Sequence, residues 1–322
     1  MVTAAYAFAH FAVDLGCAFC VFSMGAAPWD FLLYNLFAFA MQLPLGLLAD
    51  LLNKNRLLAL LGTLLVGICC LFPGQGIVFV CLLGLGNGLF HIGGGLDVMN
   101  LHPDHAGPLG AFVSPGALGV YLGTVLGKGG RGSFPVLAAL LLSMVWMLLC
   151  RKSEFIPNEP VTLPKKSVLL PALLLFLVVV LRSVGGAVRL PWKVGALGPA
   201  AVCAVVLGKA LGGILADRFG VGLAASGSLL LAAIVFLFAD HAAAGLIALL
   251  LFNMTMPITL FVLSKSMPNT RGFAFGLLTF ALFLGFLPSF FGAPPVSTAV
   301  MGLICLASCG LLLPALKAGE RL

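Results

Sequence analysis

Long apolar runs separated by short polar punctuation fill the chain from end to end. Breaking it at glycine, proline and charged clusters gives apolar segments at about 2–24, 29–51, 57–73, 77–100, 108–127, 134–150, 167–187, 195–216, 221–238, 242–264, 272–291 and 296–316. Most are about 18 to 24 residues long, the length that crosses a bilayer core as a helix. Apolar residues follow one another without the alternation of a barrel strand, and lipid leaves backbone polar groups no partner outside their own segment. The pattern predicts an all-α integral membrane protein with twelve transmembrane helices. "HIGGG" in the fourth segment and "SPGALG" in the fifth leave ten or eleven spans as alternatives.

Composition sharpens this picture. Hydrophobic residues make up 61% of the 322, charged residues 8%, and the mean hydropathy is +1.18, against roughly 25% charged residues in a soluble domain. The nine cysteines, among them Cys17, Cys20, Cys69, Cys70, Cys203, Cys305 and Cys309, fall almost wholly inside apolar runs and read as small buried hydrophobes rather than a disulfide framework. Met1 is followed by "VTAAYAFAHFAVDLG", without a basic leader or cleavage site, so the first segment is read as a spanning helix and not a signal peptide. The net charge of +7 is scattered at segment ends, which argues against nucleic acid as a partner and for a role in orientation. Eleven cations (Lys54, Arg56, Arg151, Lys152, Lys165, Lys166, Arg218, Lys265, Arg271, Lys317 and Arg321) fall on one side of the expected topology. Only Lys128, Arg131, Arg189 and Lys193 fall on the other, which places both termini in the cytoplasm.

The longest polar interruption, "RKSEFIPNEPVTLPKKS", carries three prolines and four cations and reads as a cytoplasmic linker over 151–166. It would separate a six-helix bundle at 1–150 from another at 167–322. The halves repeat: "GLLAD" at Gly46 returns as "GILAD" at Gly213 (213 − 46 = 167), Asn87 as Asn253 (253 − 87 = 166), and the glycine of "HAG" at Gly107 as that of "TRG" at Gly272 (272 − 107 = 165). Parallel repeats of this kind are one of the plans of secondary transporters.

"GLLADLLNKNR" and "GGILADRFG" resemble the signature loop after the second and eighth helices of the major facilitator superfamily. The first copy keeps Gly46, Leu48, Asp50 and Arg56 but has Asn53 near the place of the second glycine; the second keeps Gly213, Leu215, Asp217, Arg218 and Gly220. The resemblance implies a conformational latch made by these residues, with Asp97 on the fourth helix as its further acidic member. Physically, the glycines let helices approach and the aspartates can meet loop cations or a neighbouring helix N-terminus. "GLGNGLFHIGGGLDVMN" and "HFAVD" are similar to the fourth and first helices of the fosmidomycin-resistance-type efflux group of that superfamily, with Ile92 where that group carries proline.

Charges inside a membrane are costly, so each needs a partner or a watery cavity. His10 and Asp14 are i,i+4 on the first helix and share a face, the simplest proton-coupling pair in the sequence. Arg182 on the seventh helix, the repeat partner of the first, has two candidate partners: Asp14 or an anionic substrate held by its planar fork. Lys209 lies about 12 Å above Asp217 on the eighth helix, at 1.5 Å per residue. It would bind an anion or pair with a carboxylate, and Gln42 is its counterpart on the second helix. His91 and Asn87 on the fourth helix, and Asn253 and Thr255 on the tenth beside a possible kink at Pro257, would add hydrogen bonds to a substrate. Gly119, Gly123 and Gly127 form a packing stripe, and "SPGALG" is similar to the glycine–proline motif of the superfamily's antiporters. His10, Asp14 and Cys17 share a face, but without a histidine-rich loop no metal and no cofactor is expected. A phosphate-binding Walker loop is likewise missing from the sequence.

The expected function is proton-coupled export of a small organic anion or drug-like compound, driven by the proton gradient through alternating access. A uniporter or importer of an organic or amphiphilic solute, or of a metal ion, is the alternative; an integral-membrane enzyme is the lesser one. The expected setting is a monomer in the cytoplasmic (inner) membrane, with the lipid bilayer and a small-molecule substrate as its partners.

Overall fold

The structure, a computed structural model, describes residues 1–150, 161 and 166–319. The linker expected over 151–166 therefore lies, apart from its residues 161 and 166, outside the described residues, together with Arg151, Lys152, Lys165 and Arg321.

Among the described residues every regular element is a helix: α1 (Val2–Ser23), α2 (Pro28–Leu52), α3 (Asn55–Leu71), α4 (Ile77–Leu101), α5 (Gly107–Lys128), α6 (Phe134–Leu149), α7 (Lys166–Gly185), α8 (Leu197–Phe219), α9 (Val221–Phe236), α10 (Ala242–Ser266), α11 (Arg271–Phe290) and α12 (Thr298–Gly319). Nine are long and apolar enough to cross a bilayer, and α3, α6 and α9 are shorter apolar helices, giving twelve (9 + 3). Neither suspected interruption breaks its helix, since "HIGGG" lies inside continuous α4 and "SPGALG" inside continuous α5. The irregularities fall elsewhere. α2 carries a π-helical turn at Leu36–Ala40, and α10 breaks at Met254. The break has a local cause: Pro257 has no N–H to offer the Asn253 carbonyl, and its ring is tolerated because it falls in the first turn of the second piece.

Burial is inverted relative to a soluble domain. Leu141, Leu142, Leu173 and Leu303 are exposed inside their helices, where hydrocarbon takes the place of water. His10, Gln42, Asp50, Asn87, His91, Asp97 and Arg182 are buried. Each such polar group needs a partner, because burial without one costs several kcal/mol.

The chain divides into two compact units. Unit 1 holds residues 1–103, 111–161 and 269–280; unit 2 holds 104–110, 162–268 and 281–322. Each unit thus takes the opening turns of one helix from the other sequence half: α11 in unit 1, α5 in unit 2. Within unit 1, the glycine stripe of α5 lies against the α1 backbone. A β-carbon at Gly119, Gly123 or Gly127 would stand 2.3, 2.3 and 2.7 Å from the carbonyls of Phe11, Leu15 and Phe19. Only residues without a side chain permit that approach.

Both GxLAD words end their helices with a residue of positive φ. After α8 it is Gly220, with φ 87°. After α2 it is Asn53, with φ 49° and ψ 42°. Asparagine tolerates this conformation better than other residues with a side chain. That explains how the first copy dispenses with its second glycine.

Candidate functional site

Four polar side chains from α1 and α4 converge inside unit 1. His10 and Asp14 project from one face of α1, and the His10 Nε2 lies 3.2 Å from Asp14 Oδ2. Asn87 and His91, also one turn apart, project from α4. Asn87 donates from Nδ2 to Asp14 Oδ1 at 3.1 Å, and His91 Nε2 lies 3.8 Å from the same oxygen. Asp14 falls twelve residues into α1 (14 − 2), about 18 Å along its axis and past the middle of the span.

The main chain fixes both imidazoles. His10 Nδ1 lies 2.8 Å from the Phe112 carbonyl and His91 Nδ1 lies 2.9 Å from the Asn87 carbonyl. A carbonyl oxygen only accepts, so each Nδ1 carries the hydrogen and each neutral ring presents a bare Nε2. Those two Nε2 atoms stand 2.9 Å apart, with the rings nearly perpendicular at 83°. Two lone pairs and a carboxylate thus point at a common centre, and one positive charge there would satisfy all three.

α5 supplies the wall. Pro115 brings no N–H to its helix; the Ala111 carbonyl it orphans meets the Ser114 hydroxyl at 3.4 Å, and the adjoining Phe112 carbonyl receives His10. At Gly116 a β-carbon would lie 2.4 Å from His10 Nε2 and 2.5 Å from Asp14 Oδ2. Neither Phe112 nor Gly116 stands out as a site residue in the sequence, where "SPGALG" carries only a motif resemblance and the packing stripe that follows it. The available signal was a helical proline three residues after a phenylalanine and beside a glycine. Nothing in one sequence said which helix would face it.

The remaining candidates are spread over both units. In unit 2, Arg182 is buried at 9% exposure, and its Nη1 has no hydrogen-bond partner among the described residues. Lys209 is half-buried on α8. Asn253 donates to the Leu249 carbonyl at 2.8 Å and Thr255 to the Phe252 carbonyl at 3.0 Å, so both satisfy their own helix. In unit 1, Gln42 donates to the Ala38 carbonyl in the π-helical turn, and its Oε1 is buried without a partner.

The GxLAD aspartates cap helix N-termini. Asp50 accepts from the backbone N–H groups of Gly272 and Phe273, both at 2.8 Å, at the start of α11. Asp217 accepts from Ala106 at 2.7 Å and Gly107 at 2.8 Å at the start of α5. The carboxylates satisfy donors that a helix leaves orphaned and sit at its positive end. The glycines make this possible: a β-carbon on Gly46 would lie 2.0 Å from the Gly272 carbonyl, and one on Gly213 would lie 2.4 Å from the Ala106 carbonyl. Three implied latch members have other partners. Asp97 accepts a hydrogen bond from Tyr6, Arg56 donates to the Leu148 and Cys150 carbonyls closing α6, and Arg218 lies over the Phe219 ring at 5.3 Å.

No family profile matches the chain, and no curated protein matches it. Solved structures do. A single-substitution variant of the Escherichia coli fucose:proton symporter FucP superimposes with a TM-score of 0.71 at 12% identity, covering 97% of both chains. FucP in the outward conformation, described as a major facilitator superfamily transporter, gives 0.67 at 12% identity over 96% of this chain and 98% of that one. A bacterial homologue of the iron transporter ferroportin, in an outward-facing state, gives 0.62 at 13% identity over 100% and 99%. The chain has the major facilitator fold, twelve transmembrane helices in two repeated sets of six, and the proteins it resembles are membrane transporters rather than enzymes.

Proposed function

We propose that the chain is a secondary active transporter that exports a small organic anion or drug-like compound against proton entry, by alternating access. The observation that carries the reading is the His10, Asp14 and His91 cluster. Near mid-span, two imidazole nitrogens and a carboxylate face one another, and a proton taken up on either nitrogen would relieve their mutual repulsion. A carboxylate that is alternately protonated and charged in such a place is what a proton-driven cycle requires. The fold supports this assignment, and FucP, which shares it, is a fucose:proton symporter, so the fold is compatible with proton coupling. Proton-coupled import is therefore the second reading, and direction is what separates it from the first.

Arg182 is the proposed anion ligand, since a buried guanidinium with an unpartnered Nη1 is a ready fork for a carboxylate or phosphonate. His91, Asn87, Lys209, Gln42, Asn253 and Thr255 are proposed to line the substrate path. Asp50 and Asp217, with Gly46, Gly213, Arg56, Asp97 and Arg218, are proposed to hold one conformational state. The protein acts as a monomer in the cytoplasmic membrane with both termini inside, and needs no cofactor beyond the proton gradient.

The test has two steps. Purified protein is screened by thermal shift against organic anions, phosphonates, amphiphilic drugs and sugars. Proteoliposomes loaded with a pH-sensitive dye then report whether a hit moves protons. Substrate-dependent proton movement opposite to the substrate supports the reading, and movement in the same direction supports the symport alternative. A hit that moves without any proton movement overturns proton coupling.

A further inference from the structure

Several features besides the proposed coupling pair could carry a second role. The small cleft lined by Tyr6, Arg56, Asp97 and Cys150 is closed by its own hydrogen bonds. The Cys20 and Cys70 thiols, 3.3 Å apart, are enclosed among apolar side chains. The Lys265–Asp104 pair is exposed at both ends. The arrangement around His10 goes further than any of these.

We propose that His10, Asp14 and His91 form a binding site for a divalent first-row transition cation, with Asn87 as the fourth donor. The inference stands on side-chain geometry within unit 1, and not on which solute is carried or in which direction. Two imidazoles and one carboxylate are the donor set that zinc and its neighbours favour, whereas magnesium and calcium seek six or more oxygens.

The spacing fits. Ligand atoms bound at about 2.0–2.1 Å around a tetrahedral ion stand roughly 3.3 Å from one another. Here the two Nε2 atoms stand 2.9 Å apart, His10 Nε2 lies 3.2 Å from Asp14 Oδ2 and His91 Nε2 lies 3.8 Å from the other oxygen, Oδ1; one donor atom from each of the three residues falls within 4.8 Å of the others. A small turn of the Asp14 carboxylate and of the two rings would bring one oxygen and both nitrogens to that spacing.

The outer contacts are those of a ligating histidine. In metal sites the second ring nitrogen is tied to a carbonyl or carboxylate, which fixes the tautomer and aims the free nitrogen. Both histidines here have Nδ1 held by a main-chain carbonyl and Nε2 aimed inward. Asn87 adds an independent sign. It is 1% exposed, its Nδ2 lies on Asp14 Oδ1, and its Oδ1 is buried without a partner. The two ends of an amide are nearly the same size, so turning it over presents that unpartnered oxygen to the cation. Gly116 keeps the space clear, because a β-carbon there would lie 2.4 Å from His10 Nε2.

The experiment uses the full chain, purified in detergent and stripped with a chelator, then titrated calorimetrically with zinc chloride and separately with magnesium chloride. The expected result is one zinc per chain and no magnesium binding. Affinity should be at least about 10-fold weaker in His91→Gln and in Asp14→Asn. It should be unchanged in His241→Gln and in His105→Gln, which removes the exposed histidine 3.9 Å from Asp217. Equal zinc affinity in wild type and the two cluster variants overturns the proposal, as does magnesium binding at the same strength. If the variants fail to fold, cobalt(II) added to the wild type decides. Intense visible bands of a four- or five-coordinate ion support the site, and a weak six-coordinate spectrum overturns it. Proton-driven transport measured with chelator present keeps the two readings apart, since loss of the zinc isotherm leaves it intact and its own failure leaves the isotherm.

Discussion

α4 in the first half of the chain and α10 in the second begin 165 residues apart (242 − 77) and are both 25 residues long, yet they handle one shared asparagine in opposite ways. Asn87 reaches across to Asp14 on α1, while Asn253 folds back onto the Leu249 carbonyl of its own helix. Four residues further on, α4 has His91 and runs unbroken, whereas α10 has Pro257 and breaks at Met254. α1 and α7 differ in the same sense. α1 bears His10 and Asp14 near mid-span; α7 offers one buried charge, Arg182 in its last turn, with an unpartnered nitrogen. The features that were doubled serve packing and capping: the GxLAD words, the glycines and the capped helix starts. The features present once are chemical. A repeat keeps what the fold needs in both copies, so a polar cluster surviving in one copy marks function.

The strongest way to break this comparison is to remove the charge on which the first half depends. Asp14→Asn keeps the size of the side chain and the hydrogen-bonding capacity toward Asn87 but cannot ionise. Uptake or efflux driven by an imposed pH gradient in proteoliposomes is expected to fall to background. Substrate exchange at equal pH on both sides should remain measurable. Gradient-driven transport at the wild-type rate would remove α1 from the coupling mechanism. Next in size is the single charge of the second half. Arg182→Gln is expected to weaken binding of an anionic substrate by about 2 kcal/mol, roughly 30-fold, the scale of one lost charge-assisted hydrogen bond. Arg182→Lys should recover part of it, because it restores the charge without the fork. Calorimetric titration with a hit from the ligand screen reads both, and equal affinity in all three proteins would make Arg182 structural.

How far the sequence disclosed these sites follows from the physics of each signal. Span number and helical class came from continuous hydrophobicity, which is a local property. The repeat came from words that recur at a near-constant offset. His10 with Asp14, and Asn87 with His91, were legible as i,i+4 pairs because each pair lies on one helix. That the two pairs meet, through His10 and His91 Nε2 atoms 2.9 Å apart, was not legible. Neither was the wall at Gly116, since helix pairing is a tertiary fact that one sequence does not encode in any local pattern. Asn53 illustrates the same limit at a turn. The sequence shows Asn53 where the second word has Gly220, but only the structure shows it in a left-handed conformation.

Gly116 gives a smaller and more selective prediction. Gly116→Ala places a methyl against His10 and Asp14, whereas Gly119→Ala places one against the α1 backbone at Phe11. Each is expected to lower stability by about 1–3 kcal/mol through overpacking, read as a fall in melting temperature in detergent. Only Gly116→Ala should also disturb the cluster. Normal zinc binding in Gly119→Ala with weakened binding in Gly116→Ala would separate helix packing from site geometry. Equal binding in both would mean that the wall is not part of the site.

The smallest expected effects test the feature the halves share. Asp50 and Asp217 each accept two backbone N–H groups at a helix start, yet their settings differ. Asp50 is 3% exposed, while 27% of the Asp217 side chain is exposed, with His105 3.9 Å away. Replacing either by asparagine removes the negative charge from a positive helix end and one of the two acceptor oxygens. The cost should be about 1 kcal/mol, with Asp50→Asn the larger because water cannot reach its two N–H groups to replace the lost oxygen. Salt offers the discriminating measurement. Screening acts on exposed charges far more than on buried ones, so raising ionic strength should erode the contribution of Asp217 and leave that of Asp50 nearly unchanged. Melting temperatures of wild type and both variants at low and high salt would show this as a shrinking gap for Asp217→Asn alone. Gaps that shrink together would mean that the two caps are equivalent, and that the duplicated words, unlike the helices around them, have not diverged.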